Sequence, residues 1–242
     1  MTRSERRTLV KSKTFHVWII PDRNRTWARE KGLSSAEGHG QGAENFKKIF
    51  RVIWKMGVSH FTFWGMSLDN FEGRSREEVV YLFGLIESAI NDPQWVAELH
   101  RKKIQLRVIG EWRLKAPSRI AMSLERLQEE TRHYTDRVFT LLFIYNGREE
   151  MCEMVERNKR ETSVTAATTP DDIAQRLKTA GLPSVDLMIR TGGQKRFSNG
   201  ALMWLIQDAY IHFSDAPWPE FPKEELLFAI HLTRKQERKS GK

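Results

Sequence analysis

Four short stretches of the chain gather charged and small polar residues directly after apolar runs. Asp22-Arg23-Asn24-Arg25-Thr26-Trp27 follows the first run, and Ser67-Leu68-Asp69-Asn70-Phe71-Glu72-Gly73-Arg74 the second. Asn146-Gly147-Arg148 follows a third, and Arg190-Thr191-Gly192-Gly193-Gln194-Lys195-Arg196-Phe197-Ser198-Asn199 a fourth. Arginines make forked, charge-assisted hydrogen bonds to phosphate oxygens, and glycines let backbone N–H groups approach an anion. An acid among bases suggests Mg²⁺ bridging a carboxylate and phosphate oxygens. The inventory therefore suits a polyanion such as a diphosphate. Taken singly, each feature has an ordinary structural explanation. An Asp after a strand often caps a helix, Arg-Thr-Gly-Gly makes a tight turn, and Asn70 closes one. Their joint occurrence at the ends of apolar runs is what points to chemistry. The chain contains no P-loop, no Gly-x-Gly-x-x-Gly, no nucleophile elbow and no histidine pair at metal-binding spacing with a carboxylate.

The apolar periodicity supplies the elements that must position these groups. Phe15–Ile20, His60–Met66, Ile104–Ile109, Val138–Tyr145, Val185–Ile189 and Ala209–Phe213 read as strands. Helices are expected over Ala43–Met56, Arg76–Ile90, Pro93–Arg101, Ser118–His133, Arg148–Arg160, Asp171–Ala180 and Lys223–Arg238, with a loop over Thr162–Pro170. Strands without polar alternation, each followed by a helix, indicate a parallel sheet covered on both faces. The expected fold is one α/β domain with a central six-stranded, mainly parallel sheet. In such sheets ligands sit in the crevice outside the carboxyl ends of the strands, where the four clusters fall.

Composition narrows the function classes. Hydrophobic residues make up 40% of the 242, which rules out wholesale disorder, and no apolar run is long enough to span a bilayer. The charged N-terminus has no apolar signal core. The single cysteine, Cys152, excludes an internal disulfide and a cysteine-based metal site and suits a reducing cytosol. The net charge of +9 sits in the ends: residues 1–13 and 231–242 carry +4 each, leaving +1 for residues 14–230. A near-neutral body without a nucleic-acid motif argues against nucleic-acid binding. The basic tails suit peripheral contact with an anionic membrane surface.

The motifs resemble those of the cis-prenyltransferases, the undecaprenyl diphosphate synthase family. His16-Val-Trp-Ile-Ile-Pro-Asp22-Arg-Asn24-Arg-Thr-Trp27-Ala is similar to the family's His-Val-x-Ile-Ile-Met-Asp-Gly-Asn-Gly-Arg-Trp-Ala, and Gly38-His39-x-x-Gly42 to its Gly-His-x-x-Gly. Ser67, Asn70 and Arg74 match its Ser-x-Glu-Asn-Trp-x-Arg after a one-residue insertion. Val185-Asp186-Leu-Met-Ile-Arg190-Thr-Gly-Gly-x-x-Arg196-x-Ser198-Asn199 and His212-Phe213-Ser-Asp215-x-x-Trp218-Pro219-Glu-Phe221 match its last two blocks. The resemblance implies a dimer, homomeric or heteromeric, with a hydrophobic tunnel, joining an allylic diphosphate to isopentenyl diphosphate with Mg²⁺. It divides the chain into a basic tail (1–13), a catalytic domain (14–238) and a C-terminal tail (239–242). It makes Asp22, Asn70 and His39 catalytic, with Asp22 on Mg²⁺. Arg23, Asn24, Arg25, Trp27, Ser67 and Arg74 belong with the allylic diphosphate and the reacting carbons. Arg190, Gly192, Gly193, Arg196 and Ser198 belong with the diphosphate of the nucleophile. The tunnel is expected near Trp64, Met66, Phe83, Leu85, Phe139 and Phe143.

The departures from the pattern are specific. Arg23 and Arg25 stand where the family has glycines, Thr26 replaces its arginine, and Ser35 aligns with a second phosphate-binding arginine. Arg23 or Arg25 is expected to take over the lost charge. Tyr210 aligns with the family's second metal carboxylate, and Asp208, two residues earlier, is the suggested substitute. Arg238-Lys239-Ser240-Gly241 loosely echoes the Arg-x-Gly that reaches a partner's site. Three readings follow. One is an active synthase with a rearranged allylic site and short or medium products. The second is a same-fold enzyme making irregular or cyclised products or using another acceptor. The third is a non-catalytic subunit of a heteromeric synthase, against which the retained Asp22, His39 and Asn70 argue.

Overall fold

A computed structural model describes residues 14–161, 169–198 and 201–236. The expected tails, Asn199, the Arg238–Gly241 motif and most of the Thr162–Pro170 loop lie outside the described residues. Six strands, β1 (His16–Ile20), β2 (His60–Met66), β3 (Ile104–Ile109), β4 (Arg137–Phe143), β5 (Leu187–Arg190) and β6 (Tyr210–Phe213), form one sheet in the order β3-β4-β2-β1-β5-β6. Every pairing is parallel. Ten α-helices run alongside among the described residues: α1 (Asn24–Glu30), α2 (Ser35–Lys55), α3 (Leu68–Gly73), α4 (Arg76–Ile90), α5 (Pro93–Arg101), α6 (Trp112–Lys115), α7 (Ser118–Thr131), α8 (Gly147–Glu161), α9 (Pro170–Arg176) and α10 (Lys223–Lys235).

Side-chain alternation along the strands splits the core in two. Val17, Ile19, Phe61, Phe63, Phe139 and Ile189 face Ile49, Phe50 and Ile53 of α2 and the apolar sides of α4, α5 and α7. Trp18, Ile20, Trp64, Leu142 and Met188 face the other way, onto Leu182, Leu202 and Leu205. Burial on both faces explains why these strands read as unbroken apolar runs.

Two differences from the expected elements matter for the site. Helix α2 starts at Ser35, not at Ala43, behind an Ser34–Glu37 capping box. Its first turns carry Gly38, Gly40 and Gly42, poor helix formers that hide it from a propensity reading. A Cβ on Gly38 would lie 2.4 Å from the Asn24 carbonyl oxygen and 2.8 Å from Ala28 Cβ, so close packing on α1 accounts for that glycine. Secondly, the cluster after β2 is itself the short helix α3, capped by Ser67. No helix among the described residues is long and apolar enough to cross a membrane.

Candidate active site

The sheet order reverses direction between β1 and β5. From β1 the chain crosses to β2 on one side, and from β5 to β6 on the other. A crevice at the carboxyl ends of two such neighbours is the general ligand position in doubly wound sheets. Register places Ile20 beside Arg190, so Asp22 and the β5 loop open into the same crevice.

The backbone of Asp22 is fastened on both sides. Its N–H donates to Thr191 Oγ1 at 2.9 Å. Its carbonyl accepts the Trp218 N–H at 2.9 Å. Trp218 is held in turn: its Nε1 donates to the Gly42 carbonyl at 2.8 Å, and Asn45 Nδ2 donates to the Trp218 carbonyl at 2.7 Å. The Asp22 carboxylate meets the Arg190 guanidinium, with Nη2 2.6 Å and Nε 2.7 Å from Oδ2. Arg190 Nη1 also donates to the Arg196 carbonyl. The Arg196 side chain is exposed and Ser198 half-buried on the same loop. Gly192 and Gly193 do not offer free N–H groups: these donate to the Ala216 and Ser214 carbonyls, both at 2.8 Å.

A second cluster surrounds Glu78, on the first turn of α4 and itself mostly buried. His39 Nε2 lies 3.0 Å and Arg74 Nη1 3.3 Å from its Oε1, and Arg25 Nη1 lies 3.5 Å from its Oε2. One carboxylate thus gathers three basic groups brought by α1, α2 and the end of α3. Arg74 Nε is buried without a hydrogen-bond partner. Burial holds the His39 imidazole below its usual pKa; Arg74 and Arg25 act in the same direction and Glu78 against it. Glu78 and Thr191 were not among the expected site residues. The acid four residues after Arg74 was the available signal for Glu78.

Arg23 and Arg25 point apart. Arg23 caps α1 with φ 72°, packs its stem on Gly192, and pairs with exposed Glu30 at 2.5 Å. Only Arg25 joins the basic cluster. Asn24 donates from Nδ2 to the Pro21 carbonyl at 3.0 Å, and its Oδ1 is buried without a partner beside Gly42. Trp27 is buried under Lys31, away from the cavity, and Ser67 Oγ caps α3 by accepting the Asn70 N–H at 3.0 Å. Asn70 is half-buried on α3, whose start is pinned by Asn146 through Leu68 N–H and Asp69.

An apolar cavity of about 150 Å³ opens beside this cluster, between the sheet and helices α2, α4 and α5. Asn24, His39 and Gly42 stand in its wall, and Phe46, Phe63, Leu85, Trp95 and Phe139 line its depth. Of the expected tunnel residues, Met66, Leu85 and Phe139 are in place. Trp64 is on the opposite face of the sheet, its Nε1 bonded to the Tyr145 carbonyl, and Phe83 and Phe143 pack edge to face in the core. Parity along β2 already separates Trp64 from Phe63.

Asp208 does not complete a metal site with Asp22. Tyr210 opens β6 opposite Leu187, so the exposed Asp208 before it lies at the amino ends of the strands, whereas Asp22 follows a carboxyl end. No group of three or more His, Cys, Asp or Glu side chains able to hold a metal forms among the described residues. One carboxylate, completed by phosphate oxygens and water, is nonetheless a donor set that Mg²⁺ accepts. Asp22, a third exposed at a crevice it shares with Arg190, fits that requirement.

The prenyltransferase family model, described as "Putative undecaprenyl diphosphate synthase", matches residues 20–241. The chain belongs to this family. It is 33% identical over 232 residues to the tritrans,polycis-undecaprenyl-diphosphate synthase (geranylgeranyl-diphosphate specific) of Methanopyrus kandleri, covering 94% of this chain and 84% of that one. With the isoprenyl transferase of Thermus thermophilus the identity is 34% over 238 residues, 94% of this chain and 88% of the relative. The crystal structure of lavandulyl diphosphate synthase from Lavandula x intermedia, in complex with dimethylallyl diphosphate, superposes with a TM-score of 0.84 at 28% identity, covering 92% of this chain and 96% of that one. As in the rest of the undecaprenyl diphosphate synthase family, the chain's fold and motif order identify a prenyl transferase.

Proposed function

We propose that the protein condenses an allylic prenyl diphosphate with isopentenyl diphosphate and releases diphosphate, using a short allylic substrate. The observation that carries this reading is the pairing of two basic clusters, around Arg190 and around Glu78, with an apolar cavity opening between α2 and α4. The Arg25–His39–Arg74 group receives the allylic diphosphate, with the prenyl tail in the cavity. Arg190, Arg196 and Ser198 receive the diphosphate of the nucleophile, and Asn70 faces the reacting carbons from α3. Asp22 holds Mg²⁺, which when bound neutralises charge accumulating on the departing diphosphate. The chain's own guanidinium groups, fixed before substrate arrives, supply the rest of that stabilisation and align the reactants.

Cavity size favours a short tail. At about 150 Å³ the open apolar cavity has room for roughly one five-carbon unit. A second reading is favoured by the likeness to the lavandulyl enzyme in complex with dimethylallyl diphosphate: the five-carbon allylic diphosphate serves at both sites and yields an irregular product. Dimerisation and contact of the basic tails with an anionic membrane surface accompany either reading.

The deciding experiment incubates the full chain with Mg²⁺, isopentenyl diphosphate and labelled dimethylallyl, geranyl or farnesyl diphosphate, and identifies the products. A short homologous series dependent on isopentenyl diphosphate supports the first reading. Products from dimethylallyl diphosphate alone establish the second. Inactivity relieved only by another protein chain overturns both.

A further inference from the structure

The Asp22–Arg190 pair sets two functions against each other. Arg190 presents Nε and Nη2 to the same oxygen, Asp22 Oδ2, at 2.7 and 2.6 Å, and Nη1 to the Arg196 carbonyl. Each of the three nitrogens thus makes a contact inside the protein, two of them with the carboxylate that would hold a metal, and Nη1 and Nη2 each keep one further N–H. While Oδ2 keeps both guanidinium contacts, the carboxylate offers a cation only Oδ1 and a charge already offset by Arg190. The N–H groups that point at Asp22 cannot at the same time serve a phosphate oxygen.

We propose that Asp22 is the internal counter-ion of the Arg190 site, displaced by the arriving diphosphate and thereby released for Mg²⁺. This rests on reading Arg190 as a diphosphate ligand. Burial decides which partner moves. The Arg190 side chain is 4% exposed and anchored to the β5 loop through Arg196, whereas Asp22 is 33% exposed. The Asp22 backbone is held by Thr191 and Trp218 on either side, so the change is a rotation of its side chain, not a shift of the loop. A carboxylate in this position keeps a buried guanidinium from standing unpaired before substrate binds, a costly state. The multiply charged diphosphate then replaces a single negative charge with stronger, forked contacts. Metal and diphosphate binding become coupled through one side chain, and the coupling is reciprocal.

The test is calorimetric and needs no turnover. Inorganic pyrophosphate is titrated into the full chain in EDTA, comparing wild type, Asp22→Asn, Arg190→Gln and the double variant. Asp22→Asn is nearly isosteric and removes the competing charge. Without metal it is expected to bind pyrophosphate about tenfold more tightly than wild type, the scale of a lost charge-assisted contact. That gain should vanish in the Arg190→Gln background. If Arg190→Gln lacks a cooperative thermal transition, Arg190→Lys takes its place, with a reduced gain expected. Equal affinities of Asp22→Asn and wild type, or a gain that survives without Arg190, overturn the counter-ion role while leaving Arg190 as a diphosphate ligand. Absence of pyrophosphate binding in every variant, with and without Mg²⁺, overturns the site reading as well.

Discussion

Two arginines stand where glycines are usual, and their surroundings assign them different work. Arg25 shares Glu78 with His39 and Arg74, while Arg23 lies over Gly192 and turns to Glu30 at the surface. Arg25→Gln is expected to raise KM for the allylic diphosphate about tenfold, the usual effect of losing one charged contact, and to leave KM for isopentenyl diphosphate nearly unchanged. Arg23→Gln should alter either constant by no more than about twofold, because its exposed ion pair contributes little. Steady-state kinetics with each substrate varied in turn checks the pair; the opposite ranking would make Arg23 the phosphate ligand. Burial, reinforced by Arg74 and Arg25, lowers the His39 pKa and so favours its neutral imidazole.

At the scale of elements, the site depends on how closely α2 approaches α1 and the turn at Trp218. A Cβ on Gly42 would lie 2.2 Å from Asn24 Oδ1 and 3.0 Å from Trp218 Cδ1. Gly42→Ala therefore forces Asn24 or the Trp218 turn to move. We expect a loss of roughly 1–3 kcal/mol in urea denaturation and a raised KM for the allylic substrate. Further along the same helix, Phe46 lines the cavity, its ring 4.8 Å from Phe63, 5.5 Å from Phe50 and 5.7 Å from Phe139. Phe46→Ala should cost about 2–3 kcal/mol of stability and shift acceptance towards geranyl or farnesyl diphosphate. Product chromatography reads the shift; an unchanged product spectrum would mean the cavity does not limit chain length.

Across the whole molecule, the sheet's amino-terminal end carries a different kind of polar group. His16 is fully buried, with Nδ1 2.9 Å from the Pro183 carbonyl and Nε2 2.8 Å from Thr62 Oγ1. The neutral ring satisfies both, donating from Nδ1 and accepting at Nε2. Burial lowers its pKa to about 3, outweighing the Pro183 contact, and that of His60 nearby to about 4. Between those values and the unfolded value of 6.5 the unfolded chain binds more protons, so stability rises with pH through that window and levels off above it. From His16 alone, folding stability at pH about 4.5 should be roughly 2–3 kcal/mol below that at pH about 7.5. Denaturation series at both pH values check this, and His16→Asn should flatten the dependence while lowering the neutral-pH plateau.

Much of this protein was legible one residue at a time. Apolar runs and their spacing located the six strands, most plainly β1 and β5, where burial on both faces leaves an unbroken signal. The clusters at Asp22, Asn70 and Arg190 fell after strands, where a parallel sheet places its ligands. Motif order was enough to indicate the family. The glycine-rich start of α2 was not legible, since its helix is stabilised by packing on α1 and not by propensity. Partnership was not legible either. Asp22 and Arg190 are 168 residues apart, and Glu78 joins groups from three other elements. Asp208, two residues before Tyr210 and by strand periodicity on the same face, was the expected second metal ligand, yet strand direction puts it at the end of the sheet opposite Asp22. Sequence determined which residue types stood ready for a diphosphate. Register, sheet direction and the switch between β1 and β5 decided which of them meet, because a charge acts on what lies within a few ångströms of it, whatever its number in the chain.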